Sequence, residues 1–290
     1  MTRRAFQAVL FIAAAVIGPS VHAQEISFVT DAVLINPGAR SIALGGAFAA
    51  IADDATAALA NPAGLVQILR PEISAEIRGS AVTSDSDLPF EEDAGVSGLG
   101  FLSDVLPAKS WAGALYTPQL ARLHFSSTTS DPFTRQHPAQ SYSAAAGFQI
   151  TENLSLGAGA SYYDADFGEE GLSDNPSDTS WGWNTGLLWN VAAHWKLAGF
   201  YRQGPEFETE PTVVSAGSSL VFPDIYGVAA AYQPGGGGLT IGVELDRVGS
   251  TTEPTLNGSL VSDGGTEVHL GIEYAILKWK PVVAFRAGMW

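Results

Sequence analysis

Residues 239–246 read LTIGVELD and residues 267–276 read EVHLGIEYAI. In the first, Leu239, Ile241, Val243 and Leu245 alternate with Thr240, Gly242, Glu244 and Asp246. In the second, Val268, Leu270, Ile272, Tyr274 and Ile276 alternate with Glu267, His269, Gly271, Glu273 and Ala275. Residues 154–163, LSLGAGASYY, repeat the arrangement. The period is 2, which predicts strands and not helices. One face is apolar, and the other is small, hydroxylic or charged. These strands run to about ten residues, longer than the ~5–6 usual in soluble sheets and matched to the ~9–11 that cross a bilayer at a tilt. In lipid, only a closed barrel satisfies the backbone hydrogen bonds of strands. The apolar phase is therefore expected to face outward.

The same pattern extends through most of the chain. Strands are expected near 73–82, 95–106, 110–127, 138–151, 153–167, 180–191, 194–204, 222–234, 238–249, 266–277 and 281–290. Short links at 107–109, 152, 192–193, 235–237 and 278–280 alternate with long ones near 83–94, 128–137, 168–179, 205–221 and 250–265. Outer-membrane barrels have short periplasmic turns and long external loops, so the alternation also assigns sides. Aromatics near strand ends, among them Trp111, Tyr162, Trp181, Trp195, Tyr201 and Tyr232, suit interfacial girdles. Eleven strands is an odd number, whereas single-chain bacterial barrels have an even one. The expectation drawn from this is that closing strands follow Trp290.

The first residues set the compartment. Met1-Thr-Arg-Arg is basic, residues 5–18 are apolar apart from Gln7, and Val21-His22-Ala23 supplies a small-x-small ending. This predicts a Sec-type signal peptide over residues 1–23 and not a membrane anchor, because the apolar stretch is too short to span. Composition agrees with export into an outer membrane. The chain has no cysteine, 32 glycines and 10% aromatics, and beyond the leader it lacks an apolar run long enough for a transmembrane helix. A formal charge of −16 argues against nucleic acid as a partner.

Between leader and strands lies GARSIALGGAFAAIADDATAALANPAGL, residues 38–65. Its small residues let backbone pack tightly against another surface. Asp53 and Asp54 are expected to cap a short helix over 55–59, and Asn61-Pro62 to end it, since the residue before proline is pushed out of the helical region. The segment is expected to fold inward as a plug. Its key positions are Gly45, Gly46, Asp53, Asp54, Asn61, Pro62, Ala63 and Gly64.

This segment resembles the N-terminal hatch of the outer-membrane long-chain fatty-acid transporter superfamily. That FadL-like grouping includes hydrophobic-compound channels and the PorV-type shuttle barrels of a secretion system. Gly-Ala-Arg, Gly-Gly-Ala-Phe, Asp-Asp-Ala and Asn-Pro-Ala-Gly-Leu occur in the family's order, and FPDIYGVAAAYQP, LTIGVELDRVG, EVHLGIEYAIL and VVAFRAGMW look like its later strands. The resemblance implies a fourteen-stranded transmembrane antiparallel β-barrel with a plug containing a short helix. About eleven of those strands would be present here, in a chain truncated at its C-terminus. It divides the chain into signal peptide (1–23), hatch (24–70) and barrel (71–290). It implies a Gram-negative outer-membrane location with membrane lipid around the wall, and diffusive uptake of hydrophobic compounds such as long-chain fatty acids. The alternative within the grouping is a non-transporting barrel that docks secreted or surface proteins. The apolar loop residues Phe207, Val213, Val214, Leu220, Val221 and Phe222 suit either reading.

Inward-phase Glu244, Asp246, Glu273 and Arg286 are candidates for one polar lumen network. An enzymatic site is not expected. A hydrolase needs a nucleophile, a His and an orienting group, and His194 beside a turn or His269 among carboxylates is better explained by a solvated lumen. Gly235–Gly238 has no following Lys-Ser/Thr, so it is not a phosphate loop. The acidic stretches 84–87, 91–93 and 164–178 lack EF-hand spacing. No cofactor or metal is expected.

Overall fold

The computed structural model describes residues 36–83, 93–118, 121–126, 134–166, 177–208, 219–235, 238–255 and 258–290. The leader, its cleavage bond, Val213, Val214 and most of the acidic stretches lie outside the described residues. So do the side chains of 78–98, 121–140 and 253–262.

Long antiparallel strands form one sheet: β1 (Glu72–Thr83), β2 (Asp93–Pro107), β3 (Trp111–Pro118), β4 (Ala121–Ser126), β5 (Thr134–Gln149), β6 (Leu154–Asp166), β7 (Ser177–Ala192) and β8 (Trp195–Arg202). The sheet continues with β11 (Ile225–Tyr232), β12 (Leu239–Val248), β15 (Thr266–Ile276) and β16 (Val283–Met289). Its order is β1-β2-β3-β5-β6-β7-β8-β11-β12-β15-β16, each strand pairing with the next, as an up-and-down meander requires. β3 and β4 pair with successive stretches of β5, so together they occupy the place of the single strand expected over 110–127. Two small hairpins, β9 (Glu206–Glu208) with β10 (Ser219–Val221) and β13 (Thr251–Thr255) with β14 (Gly258–Ser262), stand in long connections that had been expected to be loops. Among the described residues, β1 and β16 are the two edges of the sheet.

The wall is inside-out relative to a water-soluble protein. Ile73, Ile77, Leu106, Leu115, Val228, Leu245 and Ile272 are exposed, while Ser103, Ser155, Ser161, Thr240, Glu244 and Glu273 are buried. On β12 the buried positions are Thr240, Gly242, Glu244 and Asp246, and on β15 His269, Gly271 and Glu273. The apolar phase thus faces away from the interior. Exposed aromatics form two bands on that outer face. Tyr162 meets Trp181 at 5.2 Å and Trp183 meets Tyr201 at 4.6 Å toward the long connections, and Trp195 meets Tyr232 at 4.8 Å at the short-turn end.

The buried face is covered from within by residues 36–68. They contain two short helices, α1 (Ala39–Ala43) and α2 (Ala57–Ala60), and a 3-10 turn, Pro62–Gln67. Leu44, Phe48, Ile51, Ala52, Ala55, Ala58 and Leu65 are buried there and form one apolar cluster with Phe101, Val105, Leu188, Phe200 and Ile225 of the wall.

Candidate functional site

The inner segment and the wall meet at backbone distance. Gly45 and Gly46 adopt φ of +63° and +85°, which glycine alone enters without strain. They turn the chain after α1 so that its backbone lies on β15 and β16. A Cβ placed on Gly45 would lie 2.3 Å from the backbone nitrogen of Met289, and one on Gly46 would lie 2.6 Å from the His269 ring. The wall is equally bare at the matching places. A Cβ on Gly157 would meet the Pro62 carbonyl carbon at 2.2 Å, on Gly186 the Asn61 side chain at 1.9 Å, on Gly271 the Leu44 oxygen at 2.5 Å, and on Gly288 the Gly45 nitrogen at 2.1 Å. Alternating strands put each of these glycines on the inward face.

Neutral amides hold the second half of the segment. Asn61 is fully buried and extended (φ −159°, ψ 96°), as the following Pro62 demands. Its Nδ2 donates to the oxygens of Ala49 (2.8 Å) and Leu187 (3.2 Å), and its Oδ1 accepts from the Ala63 nitrogen (3.1 Å). Asn184 on β7 donates to the oxygens of Ala58 and Leu59 at 3.0 and 3.1 Å, satisfying α2 carbonyls that the helix leaves free. Gln67 donates to the oxygens of Ile51 (2.7 Å) and Ala52 (3.1 Å) and accepts from Lys196 Nζ (2.5 Å).

Charges hold the first half. Arg40 makes a bidentate pair with Glu273 of β15 (2.9 and 3.0 Å) and also binds Asp53, with Asp54 at 3.7 Å. Burial works against the Arg40 charge, but hydrogen bonds and charge from Glu273 and Asp53 outweigh it and hold the guanidinium above its ordinary range. Arg286, opposite Glu273 across the β15–β16 ladder, donates to the same carboxylate at 2.5 Å. Glu244 is fully buried, and its Oε2 accepts from the nitrogens of Phe48 (2.8 Å) and Ala49 (2.7 Å). His269 Nδ1 lies 2.7 Å from the Gly45 oxygen, and its Nε2 lies 3.5 Å from both Asp246 and Glu267.

Two sequence expectations need correction. The four candidate lumen residues do not form one network. Glu273 and Arg286 join Arg40, Glu244 binds backbone, and Asp246 turns to His269. Each carboxylate is taken by the nearest donor the inner segment or next strand brings, and those donors differ. The capping expectation holds in part: Asp54 accepts an N–H at the start of the 55–59 stretch, whereas Asp53 does not. α2 begins after Thr56 with no side-chain cap. Asp54 instead accepts from the Thr56 nitrogen and hydroxyl one step earlier, and Asp53 is drawn to Arg40. Asn184, Gln67 and Lys196 were not singled out by sequence reasoning, and His269 was noted only as a histidine among carboxylates. Arg40 stood in the Gly-Ala-Arg start, the one basic residue in an otherwise uncharged run before Asp53, without its partners being legible.

The arrangement is one of anchoring. Among the described residues, no group of three or more His, Asp and Glu side chains is placed to hold a metal ion. His269, the histidine among carboxylates, has its Nδ1 on a backbone carbonyl of the inner segment.

No protein-family model matches the chain, and no curated protein is similar to it in sequence. Solved structures do share its fold. A Pseudomonas aeruginosa FadL homologue superposes with a TM-score of 0.60 at 14% identity, over 88% of this chain and 80% of the other. The Pseudomonas putida toluene transporter TodX gives 0.61 at 14% identity, over 88% and 83%. The CymD monoaromatic hydrocarbon channel gives 0.57 at 14% identity, over 88% and 83%. The chain has the fold of FadL-type β-barrels, and two of these three neighbours are named as a transporter and a channel.

Proposed function

We propose that the chain is an outer-membrane channel through which hydrophobic compounds diffuse past a lumenal plug. The observation that carries this reading is the inside-out wall packed at glycine contacts onto residues 36–68, so that a passage must skirt or displace that segment. In this reading residues 1–23 are a removed Sec signal peptide, 24–70 the hatch and 71–290 the barrel in a Gram-negative outer membrane. Gly45 and Gly46 seat the hatch on the wall, Asn61 to Gly64 fix its exit toward β1, and Asp53 and Asp54 tie its middle to Arg40 and Thr56. Neighbours of the same fold bear names that cite toluene and monoaromatic hydrocarbons. The solute class is therefore taken as hydrophobic compounds, long-chain fatty acids among them.

The docking alternative draws no support from the described connections. Phe207 is fully buried and meets Phe222 edge-on at 6.1 Å, so these two apolar loop residues turn inward. The test is influx into liposomes bearing the protein, with radiolabelled toluene and oleate followed beside a sugar of similar size. Accelerated entry of either hydrophobic solute, without sugar leakage, is the expected result. Entry no faster than into protein-free liposomes for both would refute transport. Cell fractionation on a sucrose gradient addresses the location, and recovery in the soluble periplasm would count against the barrel in a membrane.

A further inference from the structure

Charge is unevenly divided between the two ends of the wall. The long connections at 83–94, 128–137, 168–179, 205–221 and 250–265 hold 15 of the 30 acidic residues and a single basic one, Arg135. The short-turn end is basic. Arg70 precedes β1, Lys109 stands in the β2–β3 turn, and Lys278 and Lys280 flank Trp279 in the β15–β16 turn. All four are exposed. Among the described residues none of their side chains has a hydrogen bond or ion pair. Glu72 pairs with Val105 across β1 and β2, so Arg70 comes level with Pro107, two residues from Lys109. The carboxylates nearest this end make no pair with them: Glu72 accepts from the Ala55 nitrogen, Glu152 lies in the β5–β6 turn, and Asp104 stands on β2 five positions from Lys109. Each basic pair also sits beside an exposed Trp at the edge of the apolar outer face. Trp111 is two residues from Lys109, and its ring lies along that face, 3.2 Å from where a Cβ on Gly113 would stand. Trp279 has exposed Leu277 and Val282 on either side of its turn.

We infer that the short-turn rim binds the phosphodiester headgroups of anionic glycerophospholipids, through Arg70 with Lys109 beside Trp111 and through Lys278 with Lys280 about Trp279. The inference rests on the reading of the chain as a membrane barrel, and stands whether or not the barrel passes solutes. Trp rings settle at headgroup depth, and a residue one or two positions away along an extended chain is within roughly 7 Å of that level. Lys and Arg stems lie along apolar surface while their heads reach the charged layer. Cations without carboxylate partners attract an anionic headgroup, whereas a zwitterionic one brings an ammonium that they repel. The acidic connections at the opposite end repel anionic lipid, so the preference belongs to one leaflet, the one that meets the short turns. An acidic soluble partner at the turn tips would find the charges but make no use of Trp rings set at the lipid edge.

The test places the full chain in phosphatidylcholine vesicles containing a trace of spin-labelled phosphatidylglycerol or spin-labelled phosphatidylcholine. Electron paramagnetic resonance then gives the fraction of each lipid held motionally restricted against the protein. Phosphatidylglycerol should be favoured by about threefold or more, and the preference should collapse between about 0.1 M and about 1 M salt. Arg70→Gln with Lys109→Gln, and separately Lys278→Gln with Lys280→Gln, should each lower the preference about twofold, and all four together should bring it to about one. These side chains are exposed and hold no partner among the described residues, so folding is spared. Arg247→Gln, on the long-connection side, should leave the preference as it is. Equal restriction of the two lipids by the parent protein, or an undiminished preference in the fourfold variant, would overturn the inference while leaving the barrel in its membrane, and would give these cations to an acidic partner from the aqueous side. No restricted population of either lipid would overturn the membrane reading and the inference with it.

Discussion

Glu244 shows how much one side chain carries in this fold. A carboxylate with no accessible surface survives burial only if hydrogen bonds replace its water. Here two successive backbone nitrogens, Phe48 and Ala49, converge on one of its oxygens. Glu244→Gln keeps an acceptor of the same shape and is expected to cost about 1 kcal/mol, while Glu244→Leu strands both N–H groups and should cost about 2–5 kcal/mol. Urea titration of the refolded protein separates the two, and equal losses would mean that the carboxylate does not hold the segment. The wall glycines give a second contrast. Gly157→Ala drives a methyl into the Pro62 backbone at 2.2 Å and should cost about 1–3 kcal/mol as overpacking. Gly199→Ala meets nothing nearer than the Gly227 oxygen at 3.8 Å and should be close to neutral.

At the level of elements, β7 spans the two aromatic bands on its own. Trp181 and Trp189 lie eight positions apart on the outward phase, roughly 27 Å along a strand and about 20 Å in height once the strand tilt is allowed for, which fits within an apolar band of ~25 Å. Val243, on the outward phase of β12 between the levels of such bands, is then lipid-facing. Val243→Arg is expected to cost about 2–4 kcal/mol in a bilayer folding titration, the penalty of a midplane cation. No loss would place β12 in the opposite phase. The sheet was legible in the sequence because a wall between lipid and a packed interior enforces strict alternation over whole strands, as at Leu239–Val248 and Thr266–Ile276. The loop hairpins were not legible, since three-residue EFE and SLV are too short to show a period and Pro254 in TTEPT argues against a strand. The inner segment was half legible. Asn61-Pro62 announces its own break locally, whereas the partners of Arg40 and Glu244 lie 233 and about 195 residues away in the chain, and no local pattern encodes such pairs.

For the whole molecule, the inner segment touches both edges of the sheet. Glu76 of β1 accepts from the Gly38 nitrogen and Glu72 from the Ala55 nitrogen, while Gly288 and Met289 of β16 lie against Gly45. One stretch of small residues thus ties the first strand to the last, with its charged half on β12–β16 and its amide half on β7. Strand pairing does not depend on it, because the ladders are continuous from β1 to β16 without any residue of the segment. Deleting residues 41–65 should therefore leave the sheet able to form while emptying its interior of Leu44, Phe48, Ile51 and Ala58. In planar bilayers the deletion is expected to raise conductance to small hydrophilic ions. Arg40→Met combined with Glu273→Met, which frees only the charged half, should give an intermediate rise with bursts of opening. A deletion that conducts no better than the parent, in a protein whose segment is freely cut by protease added from the short-turn side, would mean that residues 41–65 hang outside the wall instead of plugging it.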